Sequence, residues 1–197
     1  MSARASSARD GFVLVELLVA LSVVAVMAGM MAGVFGQLQS VARLREQLLV
    51  RAELEGALSH LERSLAGVRP ARLPDNRDEE NRFFDGRTTQ MRFAAVTRQG
   101  FYSLALRDVD IHVDMQGEAP RIVQTTSLRR PPDAVPEPTT IIVLDRFDAL
   151  GFSYSEDGTS FSPVFNRDGA VPKLVRITLS RAVMGKTVTA STVARVH

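Results

Sequence analysis

Three hydrophobic patterns follow one another along the chain. From Phe12 to Gly36, a stretch of 25 residues, the only polar side chains are Glu16 and Ser22. At about 1.5 Å per residue, a helix of that length exceeds a bilayer hydrocarbon core of about 30 Å. A cleavable secretory signal has an apolar region of only about 7–15 residues, so the run predicts a transmembrane helix instead. The second pattern is a stripe. Leu38, Val41, Leu44, Leu48, Leu54, Leu58, Leu61, Leu65 and Val68 recur mostly at intervals of three and four, the spacing of one helix face. Arg51 breaks a heptad reading, so the stripe is expected to pack on a sheet rather than in a coiled coil. Gly67 and Pro70 mark the end of this helix.

The third pattern has period two. Residues 108–115 set Val109, Ile111, Val113 and Met115 against Asp108, Asp110, His112 and Asp114, the alternation of a half-buried strand. Further strands are predicted at 90–97, 101–106, 121–128, 140–144, 147–154, 173–180 and 187–196. Gln99-Gly100, Asp157-Gly158 and Gly185 provide turns between them. Residues 129–138 carry four prolines and cannot enter a sheet interior. One long helix followed by antiparallel strands is an α+β fold. The expected division is a leader at 1–11, a transmembrane helix at 12–36, an amphipathic stem at 37–68 and a β-rich head at 69–197.

Charge sets the orientation. Arg4 and Arg9 precede the apolar run, which predicts a cytoplasmic N-terminus and a head across the membrane. The whole chain has 24 basic and 22 acidic residues, without the one-sided positive charge that phosphate binding requires. Nucleic acid is therefore not an expected partner. Cysteine is absent, which excludes disulfides and thiolate chemistry and leaves an exported head to rely on its core.

Glu16 is the anomaly in the apolar run. A carboxylate there is costly unless it snorkels to water or meets a cation. If the chain is cut between Gly11 and Phe12, Glu16 becomes the fifth residue of the product, where the new α-amino group of a neighbouring subunit can neutralise it. Gly11-Phe12-Val13-Leu14-Val15-Glu16 and the uncharged run after it resemble the cleavage and methylation motif of type IV prepilins and type II secretion pseudopilins. The resemblance implies a prepilin peptidase that cuts after Gly11 and methylates the amino group of Phe12. It also implies a pilin-like fold, a bacterial inner-membrane anchor and a periplasmic head, with Glu16 registering subunits in a filament.

Shorter segments resemble the J subunit of type II secretion systems: Leu61-Glu62-Arg63-Ser64-Leu65, the strand pair within 141–154, and Val171 to Leu179 led by Pro172. Glu16 itself argues against the K type, which typically lacks that glutamate. The resemblance implies minor I-type and K-type partners, a major pseudopilin below them and a place at the filament tip. A minor pilin of a type IV pilus or competence system is the alternative, and a membrane-anchored binding module is a third.

Candidate chemistry is sparse. His60, His112 and His197 form no ligand spacing, and neither a nucleophile-elbow nor a nucleotide-binding glycine pattern occurs. Asp75, Asn76, Asp78, Glu79 and Glu80 offer oxygen ligands for calcium but lack the EF-hand pattern. Asp108, Asp110 and Asp114 are expected on the solvated side of an edge strand. No cofactor, metal or catalytic residue is assigned.

These residues predict processing. Co-expression with a prepilin peptidase should give a chain that starts at N-methylated Phe12, and Gly11→Val should abolish the cut. Intact mass spectrometry decides, and a retained leader or another cleavage point defeats the expectation.

Overall fold

The computed structural model describes residues 7–74, 81–99, 103–129 and 138–196, with side chains from residue 15 onward except at 34–40, 42, 98, 99 and 103. Among them one helix, α1 (Ser7–Ala66), is followed by eight strands. The chain divides into two compact units, Met1–Glu46 and Gln47–His197.

In the first unit the described apolar span is Val15–Gly33, with a mean hydropathy of 2.3 and none of it buried. By length and composition it can cross a membrane once. Ser22 is compatible with that setting because its hydroxyl donates to the Leu18 carbonyl at 2.7 Å, within the helix itself.

The second unit is built on the last turns of α1. Val50, Leu54, Ala57, Leu58, Leu61 and Leu65 are buried there, continuing into Val68 just past the helix end. Five strands form one antiparallel sheet in simple sequence order: β1 (Phe84–Gly86), β2 (Gln90–Gln99), β3 (Ser103–Asp114), β4 (Arg121–Leu128) and β5 (Thr139–Asp145). A second sheet holds β6 (Ala149–Ser155), β7 (Leu174–Val183) and β8 (Lys186–Arg195). Helix and both sheets share one core, in which Phe93 and Ile111 of the first sheet and Val175, Ile177 and Leu179 of the second are fully buried. An ion pair between Arg181 on β7 and Glu53 on α1, 2.9 Å long, also joins the second sheet to the helix.

The expected α+β class, helix first and antiparallel strands after, is what the chain adopts. The details differ at several points. The strands expected at 101–106 and 108–115 are one strand, β3, because the chain stays paired with β2 from Ser103 to His112. Met115 lies beyond its end and is exposed. β1 is too short to show a period and was not expected. Arg146 takes a left-handed backbone (φ 66°), so β6 starts at Ala149 instead of at 147. Turns form at Gly158 and Gly185, both with positive φ. The strand of alternating aspartates is not an edge: β3 lies in the middle of its sheet.

The helix end is clamped to β2. Val96 N–H donates to the Gly67 carbonyl and Arg69 N–H to the Ala94 carbonyl, each at 2.8 Å, around a bridge between Val68 and Ala95. That approach explains the glycine: a Cβ on Gly67 would sit 2.8 Å from the Val96 oxygen. Gly67→Ala should therefore lower stability by about 1–3 kcal/mol. Gly56→Ala, in an open helical position, should raise it by roughly 0.5–1 kcal/mol. Urea unfolding of the protein in detergent micelles separates them. Equal effects at the two positions would contradict the clamp.

Candidate functional site

Gly11, Phe12 and Glu16 all lie on α1, and of the three only Glu16 has a described side chain. It is exposed, and it is the only ionisable group in the span Val15–Gly33. Around it Val15, Leu17, Leu18, Val19 and Leu21 are each about 60% exposed. A continuous apolar surface of this size is covered by lipid or by other helices.

The stem stripe is divided. Val41, Leu44 and Leu48 are 57–65% exposed, and Leu49 beside them is exposed as well. Burial on α1 begins at Val50. Leu38 lies among the side chains that are not described.

The remaining chemical candidates are separated. Nε2 of His60 sits 3.0 Å from Oε1 of Gln124. His112 lies 3.3 Å from Asp110, and His197 falls outside the described residues. Asp108 and Asp110 are paired instead of merely solvated, whereas Asp114 accepts from the Gln116 N–H at 2.9 Å. Asp108 accepts from Arg129 at 2.6 and 2.7 Å, and Asp110 lies 3.6 Å from Arg92 with Gln90 at 3.2 Å. The acidic segment 75–80 lies outside the described residues. Among those described, no three His, Asp or Glu side chains come together as a metal site would require.

One arrangement escaped the reading of the sequence. Gln124 stands opposite Ile111, and its side chain meets α1, so the face of β3 that carries Val109 and Ile111 is the helix-facing one. Arg107 has the same parity and is buried on that face at 7% exposure. With His60, Arg63 and Ser64 of α1 and Thr126 of β4 it lines a cleft of about 490 Å³. Ser64 donates toward Gln124 at 3.2 Å and His60 approaches the same oxygen, which satisfies that buried amide. The signal in the sequence was parity: counting back by two from Val109 reaches Arg107, a charge at an inward position.

A second buried polar group is structural. The rings of Phe84, Phe93, Phe165 and Tyr154 pack together, with Phe84 at 5.5–5.8 Å from the other three. Tyr154 lies flat on Gly86, where a Cβ would come within 2.5 Å of the ring. Its hydroxyl donates to the Arg87 carbonyl at 2.8 Å. Burial, reinforced by the negative charge of Asp85, pushes the phenol well above the ordinary tyrosine range. Asp157 is the opposite case. Hydrogen bonds from the Ser160 side chain, then from Thr159 and the Ser160 backbone, hold its carboxyl well below the usual range and fix the turn before Ser162.

No protein-family model matches the chain, and no curated protein does. Among solved structures, a chain in the crystal structure of the GspK-GspI-GspJ complex from the enterotoxigenic Escherichia coli Type 2 Secretion System is similar at 19% identity, with a TM-score of 0.49. The likeness covers 73% of this chain and 96% of that one.

The Tyr154 environment predicts an alkaline effect. The unfolded phenol ionises near about pH 10 and the folded one higher. Below about pH 10 both states keep the proton, and above it the unfolded state loses it first, so stability falls as pH rises. Tyr154→Phe should lose about 1 kcal/mol at pH 7 by removing the hydrogen bond to Arg87. It should also show a shallower loss between about pH 10 and 11.5 in urea melts. Parallel pH profiles for the two proteins would refute the assignment.

Proposed function

We propose that the chain is a minor pseudopilin of a type II secretion system, most like the J type, anchored by one helix with its N-terminus in the cytoplasm and its head in the periplasm. One observation carries the reading. Glu16 is exposed as the sole ionisable group of the apolar span Val15–Gly33, at the fifth position from the Gly11–Phe12 junction. A carboxylate within a membrane helix is costly unless it reaches water or meets a cation. A neighbouring subunit's α-amino group, created by cleavage, offsets that cost only in the assembled filament. The residue is thus tolerable as a monomer near the interface and stabilising in the polymer, which makes it an assembly determinant.

Apolar side chains at Val41, Leu44, Leu48 and Leu49 offer a helix surface to partner stems. The expected partners are I-type and K-type minor pseudopilins, the major pseudopilin and the prepilin peptidase. The role is structural, without a catalytic step. A minor pilin of a type IV pilus or competence system uses the same anchor and the same glutamate, and partner identity separates the two.

Glu16→Val should leave membrane insertion and head folding unchanged while reducing incorporation into filaments at least tenfold. The effect is read by cross-linking of sheared filaments against the membrane fraction. Wild-type incorporation of the variant would overturn the neutralising role. Long homopolymers formed by the full-length protein, with no complex with minor partners on size exclusion, would replace the tip subunit with a shaft pilin.

A further inference from the structure

We propose that the outer edge of β8 takes up, as a further strand of the second sheet, an extended segment of another protein that carries an acidic residue at each end.

The other sheet edges among the described residues are blunted. On the outer side of β1, Gly86 and Phe165 exchange backbone hydrogen bonds of 2.7 and 2.9 Å. On β6, Phe152 N–H donates to the Thr88 carbonyl and Tyr154 exchanges a pair with Ser162, each at 2.8 Å. β5 follows Pro138 directly and is bulged, since its pairing steps from Leu144 to Ile142 while β4 moves from Ile122 to Val123. Prolines, bulges and covering segments are the usual protection of an edge.

β8 has none of them. It pairs with β7 in one unbroken register, and no described strand lies on its other side. From Thr187 to Ala194 it holds no charge, proline or glycine. Its outward backbone donors and acceptors form a template for strand addition. Val188 and Ala190 pack against the core from one face, whereas Thr187, Thr189 and Ser191 on the other face are exposed. An added strand therefore meets apolar positions on its inner side and hydroxyls on its outer side, in alternation.

Charge selects the occupant. Lys186 opens the strand and Arg195 closes it, roughly 30 Å apart at about 3.4 Å per residue. Both are exposed, and neither pairs with a carboxylate among the described residues. Asp157 lines a cleft with Arg195 and Lys173, but its oxygens are already held by Ser155, Thr159 and Ser160. A second copy of β8 is a poor occupant. Paired antiparallel over its full length it sets Lys186 against Arg195 at both ends, and paired parallel it sets each cation against itself. Directly opposed like charges are destabilising. The two cations thus block self-pairing and favour a strand with a carboxylate opposite each of them. One extended segment reaches both, because both belong to the strand with which it pairs. This site lies in the head alone and is independent of the role of Glu16.

The test is fluorescence polarisation with the full-length protein in detergent micelles. The probe is a labelled ten-residue peptide with glutamate at both ends and valine alternating with threonine between them. Binding should be measurable below about 1 mM. Glutamine at both ends should weaken it at least tenfold, and so should the double change Lys186→Glu and Arg195→Glu. That double variant, confined to exposed positions, should instead prefer a lysine-ended peptide at least tenfold. Methylating one alternate set of peptide nitrogens should abolish binding and methylating the other set should spare it, because only one set faces β8. No binding up to 1 mM overturns the proposal, as do equal affinities of the glutamate and glutamine peptides or an unchanged preference in the double variant. Equal effects of the two methylated sets overturn the strand pairing. A wild-type dimer that the peptide dissociates makes a second copy the occupant and overturns the acidic partner.

Discussion

The head depends on one burial event, the packing of the last turns of α1 against two sheets at once. Leu54, Leu61 and Leu65 are wholly inaccessible, and Val50, Ala57 and Leu58 nearly so. Burying a leucine contributes about 1.5–3 kcal/mol, and no cysteine supplies a covalent substitute. The hydrogen bonds between 67–69 and β2 then fix where along the sheet this helix stops. Each sheet alone would expose an apolar face, so the helix is the element around which both are organised.

The same geometry explains why polar groups appear inside. A helix is narrower than a five-stranded sheet, so the inner face of β4 and β5 stays partly open. Gln124 meets His60 and Ser64 there, and Arg107 is drawn in beside them. On the opposite face of β3, Asp108 and Asp110 stand among Arg129, Arg92 and His112. Half-exposed pairs of this type contribute little to stability, about 0–1 kcal/mol each, but they order neighbouring strands laterally.

Burial also has a limit along the helix. From Val50 onward α1 alternates between core and solvent as an amphipathic helix should, whereas Leu48, Leu49, Leu44 and Val41 are exposed without a cover. The span Val15–Gly33 is exposed on every side and carries one carboxylate. Apolar surface of this extent persists in a functional protein when something else covers it.

Periodicity was enough to read the helix, its end near Gly67 and most of the strands, because local side-chain spacing directly reflects backbone geometry. The apolar span Val15–Gly33 was legible for the same reason, since a long apolar run needs no tertiary contact to be read. Strand order, the split into two sheets and the central place of β3 were not, because pairing is non-local and a strand's own residues do not name its neighbours. The alternating aspartates looked like an edge, yet Arg129 just past β4 pairs with Asp108 and Arg92 on β2 with Asp110. The cleft of His60, Arg107 and Gln124 joins residues far apart in the chain. Parity placed Arg107 inward, but only the mismatch between one helix and five strands decided that it would face an open cleft and not a closed core.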